Sequence, residues 1–291
     1  MLTHNDLKLN EHVFYLPRLP QAWANTKVVQ LSDLHFYEYS DLGYYQRVAD
    51  TVNALEPDLI AVTGDVVHYG TKHVDKAQWF LSLLEARLGK YAIMGNHDYY
   101  DFAKGRILRE TMSASGLNVL VNQAVALEKT PDTGQYSPQL SQRLWVAGVD
   151  DLWCGAPDLE KTLQEVPKNE FILMLGHNPL LFDPVSHYQN KPIDLLLSGH
   201  THAGHVYLPP LALIYRHVFK MKYRYHHFEK SHPDSKGATT PHHTQLYVSS
   251  GVGSAAFYLK RPIQMGFPRF RYNTHPEIAL HRLMPGLMPD S

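Results

Sequence analysis

Asp58-Leu59-Ile60-Ala61-Val62-Thr63-Gly64-Asp65 reads as one unit, an almost unbroken apolar run closed by a glycine and a carboxylate. A short apolar run of this kind, bounded by Gly or Asp, is the pattern of a strand buried on both faces. It leaves Asp65 at a strand's carboxyl end, where a carboxylate can present both oxygens and bridge two cations.

The same arrangement recurs on either side. Lys27–Ser32 leads into Asp33-Leu34-His35, and Tyr91–Met94 leads into Gly95-Asn96-His97-Asp98. Phe171–Leu175 leads into Gly176-His177, and Ile193–Leu197 into Ser198-Gly199-His200-Thr201-His202. Apolar residues at helical spacing predict helices over Tyr44–Leu55 and Asp75–Leu88. Strand, polar loop, helix, strand is the α/β rhythm, and in such sheets ligands bind beyond the carboxyl ends of the strands. Arg143–Gly148, Gln245–Ser250 and Glu277–Leu283 read as strands with fewer helices between them, which predicts a second sheet packed on the first. Lys129–Gln142 and Lys230–Thr244 are rich in Pro, Ser, Thr and Gly and read as surface loops.

The chain has 291 residues, and a single domain over 1–291 is expected because the candidate ligands run from residue 33 to residue 202. Lys plus Arg (27) balance Asp plus Glu (28), so the chain carries no basic field of the sort a long nucleic acid selects. One cysteine, Cys154, excludes an intramolecular disulfide framework and a thiolate zinc site. Asp6, Lys8, Glu11 and Arg18 interrupt the first 21 residues, so neither a signal peptide nor a spanning helix is expected there. A cytoplasmic protein follows, whose membrane contact would be peripheral, on the inner face.

Asp33 and His35 are one residue apart, so both can turn toward one ion as a strand opens into a loop. Asn96 offers an amide oxygen, and His177, His200 and His202 offer imidazole nitrogens. Mixed N and O donors suit Mn, Fe, Zn or Co better than Ca or Mg. Taken singly, each residue has a plainer reading: an Asp or Asn after a strand is often only a cap, and a loop His is often only solvated. His200 and His202, one residue apart after an apolar strand, are costly without a metal. No Gly-x-Ser-x-Gly elbow occurs, and Cys154 lies outside every ligand loop, so no side-chain nucleophile is expected.

In the order Asp-x-His, Gly-Asp, Gly-Asn-His-Asp, Gly-His and Gly-His-x-His, the chain resembles the calcineurin-like metallophosphoesterase superfamily over about residues 27–205. The resemblance implies an α/β fold, a four-layer sandwich of two mixed β-sheets flanked by helices. It implies a dinuclear centre at the strands' carboxyl ends holding two divalent ions, manganese foremost. Asp33, His35, Asp65 and His202 would hold one ion; Asp65, Asn96, His177 and His200 would hold the other, with Asp65 shared. The ions would lower the pKa of a bridging water and clamp the phosphoryl oxygens. His97 would protonate the departing oxygen or stabilise phosphoryl charge, and Asp98 could fix its tautomer. Gly95–Tyr99, Gly176–Pro179, Ser198–His205, Leu246–Gly253 and Arg271–Ile278 are similar to the bacterial branch that holds membrane-associated phosphodiesterases and UDP-2,3-diacylglucosamine pyrophosphatase, which implies a place in lipid A biosynthesis.

Tyr207–Lys230 interleaves aromatic, aliphatic and cationic residues within an insert at about 207–244. That pattern suits a membrane interface or an anionic lipid, with Arg216, Lys220, Lys222 and Arg224 as candidate substrate contacts. Its plainer reading is a lid or strand pair packed on the core. Arg271 is a candidate phosphate contact or the partner of a surface carboxylate. Asp150 or Asp151 would orient ligating imidazoles, or cap a loop. The expected activity is hydrolysis of a phosphodiester or pyrophosphate bond, on a lipid-linked or nucleotide-linked substrate. A soluble nucleotide phosphodiesterase or phosphomonoesterase and a catalytically silent scaffold are the alternatives.

Overall fold

All five residues of the central apolar run, now strand β3 (Leu59–Thr63), are buried, as a strand covered on both faces must be. The computed structural model describes residues 7–69, 71–100, 105–129, 143–188, 191–204, 222–231, 243–254, 257–259, 265–267, 271 and 273–288. The first sheet contains β1 (Lys8–Leu16), β2 (Thr26–Leu31), β3, β4 (Gly89–Ile93), β5 (Leu117–Val119) and β14 (Glu277–Pro285), in the order β1-β14-β2-β3-β4-β5. The second contains β6 (Gln123–Glu128), β7 (Arg143–Gly148), β8 (Phe171–Leu175), β9 (Leu195–Ser198), β10 (His226–Ser231) and β11 (His243–Val248), in the order β10-β11-β9-β8-β7-β6. β2 to β5 are mutually parallel, as are β7, β8, β9 and β11, while β14, β6 and β10 run antiparallel to their neighbours β2, β7 and β11. A separate hairpin pairs β12 (Phe257–Leu259) with β13 (Met265–Phe267).

Three apolar cores give four layers. Leu59, Ala61 and Ile93 of the first sheet meet Leu144, Leu173 and Leu197 of the second. Helices α1 (Leu42–Ala54), α2 (Val74–Leu83) and α3 (Arg106–Ala114) cover the outer face of the first sheet through Val48, Phe80 and Leu108. Two short helices, α4 (Leu159–Leu163) and α5 (Phe182–Ser186), cover the second sheet through Leu163, Phe182 and Val185. Burying one such side chain contributes about 1.5–3 kcal/mol. A polar thread also crosses the middle: Gln30 Nε2 donates to Thr63 Oγ1 (3.0 Å) and to the Ser198 carbonyl (2.9 Å) of the opposite sheet.

The expected four-layer sandwich of two mixed sheets is therefore what the chain adopts. Three local differences have physical causes. α2 ends at Leu83 rather than Leu88, because Leu84 turns extended and the Leu88 N–H donates to the Asp58 carbonyl at the entrance of β4. β8 and β9 belong to the second sheet, while Glu277–Leu283, expected there, lies in the first as β14 because it pairs with β1 and β2; the ligand loops thus come from both sheets and the site lies across their junction. Within the insert, residues 222–231 are described, and β10 there pairs antiparallel with β11. Arg216 and Lys220, residues 130–142 and the rest of the insert up to residue 242 lie outside the described residues. Among the described residues no helix is long and apolar enough to cross a membrane.

Candidate metal centre

The loops after β2, β3, β4, β8 and β9 meet at the carboxyl ends of both sheets and bring all seven candidate ligands to one place. Backbone bonds hold the first two together: Asp33 N–H donates to the Gly64 carbonyl (3.0 Å) and His35 N–H to the Asp65 carbonyl (2.9 Å). Asp33, His35, Asp65, His200 and His202 all have φ between 49° and 73°. Non-glycine residues rarely take this left-handed conformation, and it costs on the order of 1–3 kcal/mol each, so surrounding contacts must impose it. Gly64, with φ of 91°, lies where an added Cβ would come within 2.7 Å of the Gly95 nitrogen and of His177 Nδ1. Only glycine lets these two loops close on each other.

Three groups of donors result: Asp33 with His35 and His202, Asp65 with His177 and His200, and His35 with His68 and His97. In the first, His202 Nε2 is 3.2 Å from Asp33 Oδ1 and 2.9 Å from His35 Nε2. In the second, His177 Nε2 is 3.3 Å from both Asp65 Oδ2 and His200 Nδ1. Asp65 Oδ2 is also 3.6 Å from His35 Nε2, so one carboxylate oxygen lies between these two groups. The other oxygen, Oδ1, accepts the backbone N–H of His97 at 2.8 Å. Asn96 Oδ1 is buried without a hydrogen-bond partner among the described residues. A buried acceptor left bare in this way fits a cation's ligand.

The electrostatics agree with a cation site. Burial alone would raise the Asp65 carboxyl, yet His177, His97 and His35 hold it below the ordinary range. Burial pushes Asp33 up to about 6 and, together with His177, pushes His200 down to about 3. His177 Nδ1 donates to the Thr63 carbonyl (2.7 Å), which fixes the tautomer and leaves Nε2 facing Asp65.

His97 is held next to this centre. Its Nδ1 donates to the His68 carbonyl at 2.6 Å, leaving Nε2 as the nitrogen that can carry or release a proton. The expectation that Asp98 fixes this tautomer is corrected here. Asp98 accepts the backbone N–H groups of Val67 (3.1 Å) and Gly95 (2.8 Å), caps the turn that carries Asn96 and His97, and is pushed by burial and Asp65 up to about 8. His68, which sequence reasoning missed, stacks on His97 with centroids 5.1 Å apart and brings Nδ1 within 3.4 Å of His35 Nδ1. Its only advance signal was its place three residues after Asp65.

The remaining candidates among the described residues make structural contacts. Arg271 is 3% exposed and donates to the carbonyls of Ser250 (2.8 Å), Gly251 (3.1 Å) and Gly253, with Nη2 3.4 Å from His202 Nδ1. It binds the loop after β11 and stands behind His202 rather than facing a surface carboxylate. Arg224 donates to the Ala203 carbonyl at 2.6 Å, and Lys222 pairs with Asp183 at 2.8 Å. Asp150 and Asp151 act as loop caps, accepting the backbone N–H groups of Ala156 and of Trp153 and Cys154 respectively.

The fold is that of a metallophosphoesterase, and the chain belongs to the calcineurin-like phosphoesterase family, whose model matches residues 26–204; its His and Asp groups could hold metal ions. An uncharacterized Bacillus subtilis metallophosphoesterase, YkuE, is 28% identical over 87% of this chain and 81% of its own length. A zebrafish (Danio rerio) transmembrane protein with a metallophosphoesterase domain is 29% identical over 81% of this chain, which spans 50% of that relative. The UDP-2,3-diacylglucosamine pyrophosphatase LpxG of Chlamydia trachomatis is 24% identical over 91% of this chain and 87% of its own length.

Proposed function

We propose that this chain hydrolyses a phosphodiester or pyrophosphate bond, with Asp33, His35, Asp65 and His202 holding one divalent ion and Asp65, Asn96, His177 and His200 the other. The observation that carries the reading is the position of Asp65 Oδ2 between the two histidine groups, 3.3 Å from one and 3.6 Å from the other. Divalent ions held by these residues would supply the Lewis-acid chemistry that activates a water and stabilises phosphoryl charge. The chain's own contribution is positional. The Thr63 carbonyl turns His177 toward the site, and Arg271 supports the loop behind His202. His97, its Nδ1 held by the His68 carbonyl, would use Nε2 to protonate the leaving oxygen.

A lipid-linked or nucleotide-linked pyrophosphate is the substrate class that the likeness to LpxG supports, and manganese is the ion we assign first. A peripheral membrane contact would draw on the insert around Lys222 and Arg224. Turnover of bis(p-nitrophenyl) phosphate with added Mn, abolished by chelator and restored by metal, is the expected result. A protein that binds the metal at these residues yet shows no turnover with Mn, Fe, Zn or Co is a scaffold, and the reading fails.

A further inference from the structure

Three exposed aromatic side chains stand over the site on loops from different strands: Tyr69 after β3, Tyr100 after the turn beyond β4, and Trp153 after β7. They are 47%, 48% and 54% exposed, yet each packs against an imidazole of the centre. The centroids of Tyr69 and Tyr100 lie 5.0 and 5.3 Å from that of His97, and 5.4 Å from each other. The Trp153 ring lies 4.3 Å from His200, nearly perpendicular to it. Tyr100 directly follows the turn that carries Asn96 and His97, and Trp153 precedes Cys154 in the loop after β7. Asp151 Oδ1 fixes that loop, accepting the N–H groups of Trp153 (2.9 Å) and Cys154 (2.7 Å). Two rings thus flank His97 and a third flanks His200.

Half-exposed rings held in fixed positions mark a surface that something else covers. Aromatic faces beside a charged centre suit a planar ring, and stacking a base on such a side chain contributes about 1–3 kcal/mol. The rings lie against imidazoles of the centre, within reach of a group bonded to a phosphoryl held there.

We propose that Tyr69, Tyr100 and Trp153 form the subsite for a planar heteroaromatic ring joined to the scissile phosphate, which makes the substrate a nucleotide-linked ester. The proposal rests on the phosphoester-hydrolase reading for the position of the phosphate. Calorimetry on the intact protein, comparing AMP and UMP with ribose 5-phosphate and inorganic phosphate, tests it without relying on turnover. The nucleotides should bind at least about tenfold more tightly than ribose 5-phosphate and quench tryptophan fluorescence, since Trp153 is the exposed one of four tryptophans. Trp153→Ala and Tyr100→Ala should bring AMP down to the affinity of ribose 5-phosphate while phosphate affinity stays within about twofold. Trp153→Phe keeps a ring and should hold AMP within about threefold, which separates lost stacking from lost folding. Equal affinity of the native protein for AMP and ribose 5-phosphate overturns the proposal. So does proportional loss of both in the alanine variants, or binding of phosphatidylglycerol vesicles through these residues with no preference for nucleotides. Failure of the hydrolase reading is read separately, as absent turnover of bis(p-nitrophenyl) phosphate.

Discussion

Asp65 shows how much one side chain can be asked to do: its two oxygens face His35, His177 and the His97 backbone, on a residue with φ of 54°. His97 has a narrower task, and His97→Ala should lower turnover by about 10²–10⁴-fold. Metal content by elemental analysis should remain near two ions; loss of an ion would place His97 among the ligands. Arg271→Met should destabilise the fold by roughly 3 kcal/mol or more, because the carbonyls of Ser250, Gly251 and Gly253 lose a buried donor. Denaturant unfolding measures this, and an unchanged midpoint would show the loop holding itself. The candidate ligands were legible in sequence because coordination demands particular side chains after particular strands. The supporting roles of Arg271 and His68 were not, because each depends on which backbone carbonyls and ring nitrogens the fold brings near.

Strands and loops carry the next level of constraint. Gly64→Ala places a Cβ against the backbone of Gly95 at a positive φ, so it should cost at least about 2 kcal/mol and reduce metal content as well. Thermal unfolding and elemental analysis on the same sample check both halves, and full metal occupancy would show that the loops yield. Continuously apolar strands such as β3 and β8 were readable from composition alone. β1 and β10 were not: β1 is an edge strand that alternates exposed and inward residues, and β10 forms by pairing with β11. An edge strand has one covered face, so its signal is period two and half as strong.

For the molecule as a whole, the two sheets also meet along an edge where His12 of β1 packs on His226 of β10 (4.6 Å) and Tyr247 of β11 (4.5 Å). His281, opposite His12 on β14, packs on Tyr247 at 4.6 Å. Burial, with His226 and His227 nearby, pushes His12 down to about 4, and burial holds His281 well below its ordinary value. A folded pKa below the unfolded value of 6.5 means that the neutral rings stabilise the protein above pH 6.5. That stability drains away as the pH falls from 6.5 through about 4. The unfolding midpoint should therefore drop over this window, and less so in His12→Phe; parallel curves for the two proteins would place the acid sensitivity elsewhere.

β14 lies between β1 and β2, pairing Lys8–Leu16 on one side and residues 26–30 on the other. During synthesis, the strand that leads to Asp33 and His35 therefore keeps a bare hydrogen-bonding edge until residues 277–285 emerge. Contacts of such sequence separation close late and slowly, and a bare edge recruits other chains meanwhile. Ribosome-stalled chains ending before residue 277 should therefore be protease-sensitive throughout the first sheet. A protected first sheet in those stalled chains would mean that β2 to β5 stand without it.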